Sequence, residues 1–97
     1  MDYTIYLAPS AIADITLAKD YYNSKSDGLG KRLAIEVDLM LYKVAAMPKI
    51  YSKRYRDIRA AKVPSFPYLI YYKIADKNKV IQVLRVFNTH QRPFWKD

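Results

Sequence analysis

The sequence predicts an α+β domain in which a helical hairpin lies on one face of a largely antiparallel sheet. Two segments before Pro48 place apolar residues at helical spacing, and both glycines of the chain lie between these segments. After Pro48 the chain changes to short runs rich in Tyr, Ile and Val, which are typical of strands. With 97 residues and no internal repeat, the chain is interpreted as a single domain over residues 1–97.

The first predicted elements are a short strand and a helix. The side chains of Tyr3–Leu7 alternate between two faces with the period of a strand. Pro9 presets the backbone of a first helical turn, so we expect helix one from about Pro9 to Lys25. The apolar stripe of this helix consists of Ile12, Ile15, Ala18 and Tyr22.

A glycine hinge and a second helix are predicted next. Gly28 and Gly30 concentrate the freely turning backbone at one place, where the two helices must fold back on each other. Pro48 lacks an amide proton, so helix two is expected to end at Met47. The second apolar stripe, mostly at spacings of three and four, consists of Leu29, Leu33, Val37, Met40, Leu41, Val44 and Met47.

Three strands are predicted in the second half of the chain, at Arg56–Val63, Phe66–Ile74 and Val80–Phe87. Residues 75–79 form a hairpin turn between the last two. Pro64 and Pro67 each remove a ladder donor, so we expect a bend or loop there. The resulting order is β-α-α-β-β-β: an N-terminal strand, a helical hairpin and a three-stranded antiparallel sheet.

Charge divides the chain into two unequal halves. Residues 1–48 carry five Lys or Arg against six Asp or Glu, whereas residues 49–97 carry twelve against three. The predicted helices have mixed charge, which disfavours a helix that reads the major groove of DNA. We expect the cations of the second half to form one positive surface that meets an anionic partner, either nucleic acid or an acidic protein.

Composition excludes several classes of protein. The 52% hydrophobic content and ten tyrosines rule out a disordered basic tail. The chain has no Cys and one His, so we expect neither a disulfide framework nor a metal site, and no cofactor. An acidic residue near the N-terminus and the lack of a long apolar run lead us to expect a cytoplasmic protein that contacts no membrane.

Five sequence fragments, in order, point to a known family. They are Asp20-Tyr21-Tyr22-Asn23, Gly28-Leu29-Gly30-Lys31-Arg32-Leu33, Tyr55-Arg56-Asp57-Ile58-Arg59, Phe66-Pro67-Tyr68-Leu69-Ile70-Tyr71-Tyr72, and Val86-Phe87 with Pro93 downstream. With these fragments the chain resembles the RelE/ParE superfamily of toxins from type II toxin-antitoxin modules, and it is closer to the ParE-type sequences. The resemblance implies the same architecture and a cognate antitoxin, expected here to be acidic, that wraps the toxin in a hetero-oligomer.

The resemblance leaves the target of the toxin open. RelE-like members cut messenger RNA on the ribosome without a metal, whereas ParE-like members inhibit DNA gyrase. The ParE-like fragments favour gyrase inhibition through protein binding, with ribosome-dependent mRNA cleavage as the alternative. A third reading is an RNA-binding domain with neither toxicity nor an antitoxin.

For a ribonuclease, the candidate catalytic residues are His90, Arg59 and Arg92. Metal-free RNA cleavage needs a base, an acid and a cation that stabilises the phosphorane. His90 is the only histidine, the residue type whose ordinary pKa of about 6.5 suits proton transfer near neutrality, although its position equally fits a solvated C-terminal loop. Arg59 and Arg92 are always charged and can only stabilise negative charge.

Candidate contacts to nucleic acid or antitoxin are Arg54, Arg56, Arg59, Arg85 and Tyr71. The alternatives are a surface salt bridge for Arg59, and protection of an edge strand against aggregation for Arg54 and Arg56. Tyr68 and Tyr72 are interpreted mainly as core residues, and the role of Tyr71 stays open.

The C-terminal tail departs from the family pattern. Many relatives carry a His directly after the last-strand Phe and an Arg two places before the Pro, and this chain has Asn88 and Gln91 there. The difference argues against a RelE-type catalytic centre. Phe94 and Trp95 are predicted to be an apolar anchor that closes the tail onto the domain.

Overall fold

The computed structural model describes residues 3–95 and contains a five-stranded sheet covered on one face by two helices. In chain order the elements are β1 (Thr4–Leu7), α1 (Pro9–Lys25), α2 (Leu29–Ala46), a 3₁₀ turn (Pro48–Ile50), β2 (Lys53–Tyr55), β3 (Ile58–Lys62), β4 (Tyr68–Ala75) and β5 (Val80–Asn88). The predicted α+β fold class is confirmed. The sheet has five strands rather than three, because β1 joins it and the short β2 precedes the others.

The first and last strands of the chain are neighbours in the sheet. The strand order is β1-β5-β4-β3-β2. β1 runs parallel to β5, from Thr4 beside Val80 to Leu7 beside Val83, and the other neighbouring strands are antiparallel. A parallel pair needs a long connection, and here a helical hairpin and three further strands separate β1 from β5 along the chain.

The helical hairpin depends on its two glycines in different ways. Gly28 has a φ of 82°, a left-handed conformation that most side chains disfavour. Gly30 lies where α1 and α2 approach closely, and its N–H donates to Asn23 Oδ1 at 2.8 Å. Within residues 3–95, neither helix combines the length and the apolar composition that a bilayer span requires.

The main core lies between the helices and the sheet. Tyr72, at 0% exposure, is the largest fully buried side chain among the described residues, and its hydroxyl donates to the Pro48 carbonyl at 2.6 Å. Burial raises the pKa of Tyr72 to about 12. The other buried members of this core include Ala11, Ala18, Leu33, Val37, Val44, Ala61, Ile70, Ile81 and Val83.

The opposite face of the sheet has a smaller core that the C-terminal tail closes. Tyr71 is 5% exposed there, and Phe94 and Trp95 pack edge-on against its ring at 5.5 and 5.3 Å. The predicted tail anchor is therefore present. A bulge in β5, where Tyr71 pairs with Arg85 and Tyr72 with Val83, shifts the alternation by one residue, so Ile81 and Val83 before it and Val86 after it all reach the main core.

Replacing Gly30 with Ala is expected to lower the free energy of unfolding by about 1–3 kcal/mol. The added Cβ would collide with the backbone carbonyl oxygen of Lys19 and with the Asn23 side chain. Urea denaturation measures the change. Gly28→Asn is the control, because nothing lies within 4 Å of its Cβ position and Asn tolerates the left-handed backbone. Equal losses in both variants would contradict the close-approach argument.

Candidate functional site

Arg59 in β3 is bound to the backbone of its own chain. Its Nη1 donates to the carbonyl oxygens of Lys49 at 3.2 Å and Tyr51 at 2.7 Å. Both carbonyls belong to the segment around the 3₁₀ turn, so the guanidinium fastens this segment to the edge of the sheet. Arg59 therefore has a structural role, whatever else it contacts.

Arg85 in β5 is held by a carboxylate from α1. Its Nε and Nη2 donate to Asp14 Oδ2 and Oδ1 at 2.7 and 2.9 Å, and the N–H of Val86 donates to the same Oδ2 at 3.0 Å. The Asp14 side chain is 11% exposed and that of Arg85 is 29% exposed. The guanidinium also lies 4.2 Å from the centre of the Phe87 ring. Much of the Arg85 charge is thus compensated within the domain.

A cleft of about 750 Å³ opens beside this ion pair, between α1, the end of β5 and the loop before β4. His90 lines it, is exposed, and donates its backbone N–H to Asn88 Oδ1 at 2.7 Å. Other lining residues are Asp14, Leu17, Tyr21, Tyr22, Tyr68, Arg85 and Gln91. Over residues 3–95, no three His, Cys, Asp or Glu side chains converge in a way that could hold a metal ion.

The three candidate catalytic residues do not meet at one place. Arg59 pairs with Tyr72, whereas Asn88 pairs with Tyr68, four residues earlier in β4. Four strand residues span roughly 13 Å, and His90 lies beyond Asn88. The structure therefore brings His90 and Arg85 to one cleft and places Arg59 elsewhere, in β3. Arg92 is exposed in the tail.

Tyr71 and the two candidate arginines of the β2–β3 hairpin lie near the tail anchor. Burial raises the pKa of Tyr71, and the positive charge of Arg54 partly offsets this rise. Trp95 stacks on Tyr55 at 5.0 Å with an 8° angle between the rings, and the Arg56 guanidinium lies 5.3 Å from the Tyr55 ring centre. Tyr71 is thus a core residue of the second face, whereas Arg54 and Arg56 are exposed.

Seven exposed cations of the second half of the chain gather at one end of the sheet, whereas Lys62 and Arg92 are exposed elsewhere. The pairing of Arg59 with Tyr72 places the β2–β3 turn beside the β4–β5 turn, and Lys49 Nζ lies 3.1 Å from Asp76 Oδ2 of the latter turn. We call this region the basic end. Its exposed cations are Lys49, Lys53, Arg54, Arg56, Lys73, Lys77 and Lys79.

Two carboxylates, Asp57 and Asp76, accompany the seven cations of the basic end. Asp76 accepts a hydrogen bond from the Tyr3 hydroxyl at 2.6 Å and pairs with Lys49. The hydrogen bond from Tyr3 and, next, the contact with Lys49 hold the pKa of Asp76 below its usual range. The basic end therefore keeps an excess of five positive charges at neutral pH.

Sequence reasoning did not identify Asp14 as a site residue. The signal that could have found it is its position, because Asp14 lies three residues after Ala11 and four before Ala18, on the buried stripe of α1. A carboxylate on a buried stripe needs a partner. The partner itself, Arg85, is 71 positions away.

The fold is shared with solved toxin-antitoxin structures. The chain is similar to one from the chromosomal ParDE system of P. aeruginosa, with a TM-score of 0.76 at 14% identity over 89% of this chain and 95% of that one. It is also similar to chains of the RelBE2 complex of Mycobacterium tuberculosis (TM-score 0.67, 18% identity, 91% and 99% covered) and the RelBE complex of E. coli (0.59, 18%, 92% and 99%). At these identities the likeness concerns the fold.

The family is given by a match along the sequence. A family model described as the ParE toxin of the type II toxin-antitoxin system parDE matches residues 5–93. The protein is thus a toxin of a type II toxin-antitoxin module, in the ParE/RelE superfamily. More specifically, the chain belongs to the ParE toxin family, as the sequence resemblance predicted. A search of curated proteins finds none that matches significantly.

Replacing Asp14 with Ala is expected to lower the free energy of unfolding by about 2–3 kcal/mol, because the Arg85 guanidinium and the Val86 N–H both lose their acceptor. Asp20→Ala, an exposed position of the same helix, should change stability by less than about 0.5 kcal/mol. A double-mutant cycle with Arg85→Ala should give a coupling energy above about 1 kcal/mol. Additive effects would show that the ion pair does not couple α1 to β5.

Proposed function

We propose that this toxin is neutralised by a cognate antitoxin and that it inhibits DNA gyrase by binding it, without cleaving nucleic acid. The observation that carries the proposal is that Arg59 and Arg85, two cations that could stabilise a phosphorane, are used within the fold. Arg59 is bound to two backbone carbonyls and Arg85 to Asp14. An RNA-cleaving centre requires a free cation next to a base and an acid. Arg59 and Arg85 are not free, so they are poorly suited to stabilise a phosphorane.

The C-terminal segment gives further support. The side chain of Asn88 accepts a bond from the His90 backbone, so it orders the loop and offers no group that titrates near neutrality. Phe94 and Trp95 are occupied in covering Tyr71. This tail is therefore suited to a structural role, and target binding falls to surfaces outside it.

Ribosome-dependent mRNA cleavage is the second candidate, and the cleft is the observation that favours it. His90 and Arg85 line the same cleft together with tyrosines that can stack on bases. In this alternative His90 would transfer the proton, and Arg85 would leave Asp14 to stabilise the phosphorane.

We expect purified toxin to inhibit supercoiling by gyrase and to leave translated messages uncut in primer extension. His90→Ala and Arg92→Ala should retain full growth arrest, because both residues are exposed and gyrase binding does not use their chemistry. Arg59→Ala is less informative on its own, because it removes bonds that hold the 3₁₀ segment. Cleavage of messages that His90→Ala abolishes would overturn the proposal in favour of the ribonuclease.

The antitoxin surface is proposed to be the outer faces of the two helices. Large apolar side chains are exposed there, up to 75% for Tyr42. They are Ile12, Leu17 and Tyr21 on α1, and Ile35, Leu39 and Tyr42 on α2. Exposed apolar patches of this kind mark protein-binding sites, and the similar structures include toxin-antitoxin complexes.

Lysines border this apolar surface. Lys31 lies one helical turn before Ile35, Lys43 follows Tyr42, and the ammonium group of Lys25 lies 5.1 Å from the centre of the Tyr21 ring. An amphipathic antitoxin segment with acidic flanks complements such a surface.

Association with purified antitoxin is expected to slow and weaken as ionic strength rises, because the Debye length shrinks from about 30 Å at 0.01 M to about 8 Å at 0.15 M. Stopped-flow mixing at several salt concentrations measures the association rate. Leu39→Ala should mainly raise the dissociation rate, since it removes apolar contact and no charge. An association rate indifferent to salt would contradict the electrostatic part of this proposal.

A further inference from the structure

The basic end has cations with no internal partner. Within residues 3–95, Lys53, Arg54, Lys73 and Lys77 are exposed and form no ion pair with a carboxylate. Four solvated like charges at one end of an 11.4 kDa domain repel one another and cost stability. An external polyanion that binds there relieves this repulsion.

The shape of the basic end fits a phosphate backbone. Its cations project mainly from two adjacent hairpins, β2–β3 and β4–β5, whose turns lie two strand spacings apart, roughly 10 Å. That separation is close to the width of the major groove of DNA, about 12 Å, so the two turns can reach phosphates on both sides of a groove. The cleft and a second groove beside α2 are lined by residues outside the basic end.

The aromatic rings near the basic end are already engaged, which disfavours a single strand. Binding of single-stranded nucleic acid relies on free ring faces for base stacking. The Tyr3 ring lies under Lys79 at 5.0 Å, Tyr55 is stacked on Trp95, and Tyr51 packs against the main core. Lysine-rich turns without free rings suit the phosphates of a duplex.

We infer that the basic end is a sequence-independent binding site for the phosphate backbone of duplex DNA. An acidic peptide is the less favoured occupant, because six of the nine exposed large apolar side chains in residues 3–95, the kind that anchors a peptide, lie on α1 and α2. The biological role of this site rests on the proposed function. The basic end would contact the DNA that the gyrase target holds, while the helices contact protein. The binding itself is measurable without gyrase.

The test uses the full-length chain and a fluorescein-labelled 20-base-pair duplex in fluorescence anisotropy over a salt series. A dissociation constant of about 1–100 µM is expected near physiological salt, and a plot of log K against log salt should have a slope of about −4 to −6. The variant K53Q/R54Q/K73Q/K77Q should bind at least tenfold more weakly, with a slope smaller by about 3–4.

The matched control is K19Q/K25Q/K31Q/K43Q, which lowers the net charge from +8 to +4 as the test variant does, but on the helices. It should bind the duplex within about threefold of the wild type and should weaken antitoxin binding instead. Circular dichroism melting checks that both variants stay folded. If both variants lose duplex binding equally, the loss is due to the lower net charge alone, and the inference is wrong.

Competition identifies the ligand class. A single strand of equal length or poly-glutamate that displaces the labelled duplex at equal or lower charge concentration would also overturn the inference, in favour of a base-stacking or an acidic-peptide site. If the wild type inhibits supercoiling but binds no duplex, the inference is wrong and the proposed function holds. If it binds duplex through the basic end but does not inhibit gyrase, the proposed function is wrong and the DNA-binding site holds.

Discussion

The position of α1 on the sheet depends on the contacts of the Asp14 carboxylate with β5. β1 ends at Leu7, so the edge of β5 beyond Val83 has no strand beside it. Asp14 accepts the Val86 N–H on this edge, and the Ser10 hydroxyl donates to the Leu84 carbonyl at 2.7 Å. Backbone groups at a covered edge need such partners. The same carboxylate fixes Arg85, so it also sets how much positive charge the cleft presents.

The topology places the basic and the apolar surface residues of this small domain on different faces. The antiparallel hairpins bring the β2–β3 and β4–β5 turns to one end of the sheet, and basic segments of the sequence coincide with these turns. The helices, which carry mixed charge, present apolar side chains outward instead. A protein ligand and a phosphate backbone can thus be addressed by separate faces. The second core, under Phe94 and Trp95, covers apolar side chains on the outer face of the sheet.

Features with a local cause were predictable from the sequence. Pro9, Pro48 and the apolar periodicity gave both helices nearly their observed bounds, and the turn before β5 followed from its composition. β2 has three residues, two of them charged, and is too short for alternation to be recognised. The roles of the arginines could not be predicted, because Arg59 binds backbone carbonyls, which every residue has, and Arg85 binds a side chain 71 positions earlier. The predicted single positive surface includes seven of the twelve cations of the second half, and their location at one end required the strand register.

The pairing of β1 with β5 also determines when the domain can complete its fold during synthesis. The hairpin of α1 and α2 is complete once residue 46 has left the ribosome, but the strand that seats α1 and β1 spans residues 80–88. Long-range closure of this kind comes last, after local helices have formed. In a nascent chain β1 and α1 therefore cannot reach their final positions until residues 80–88 have been made.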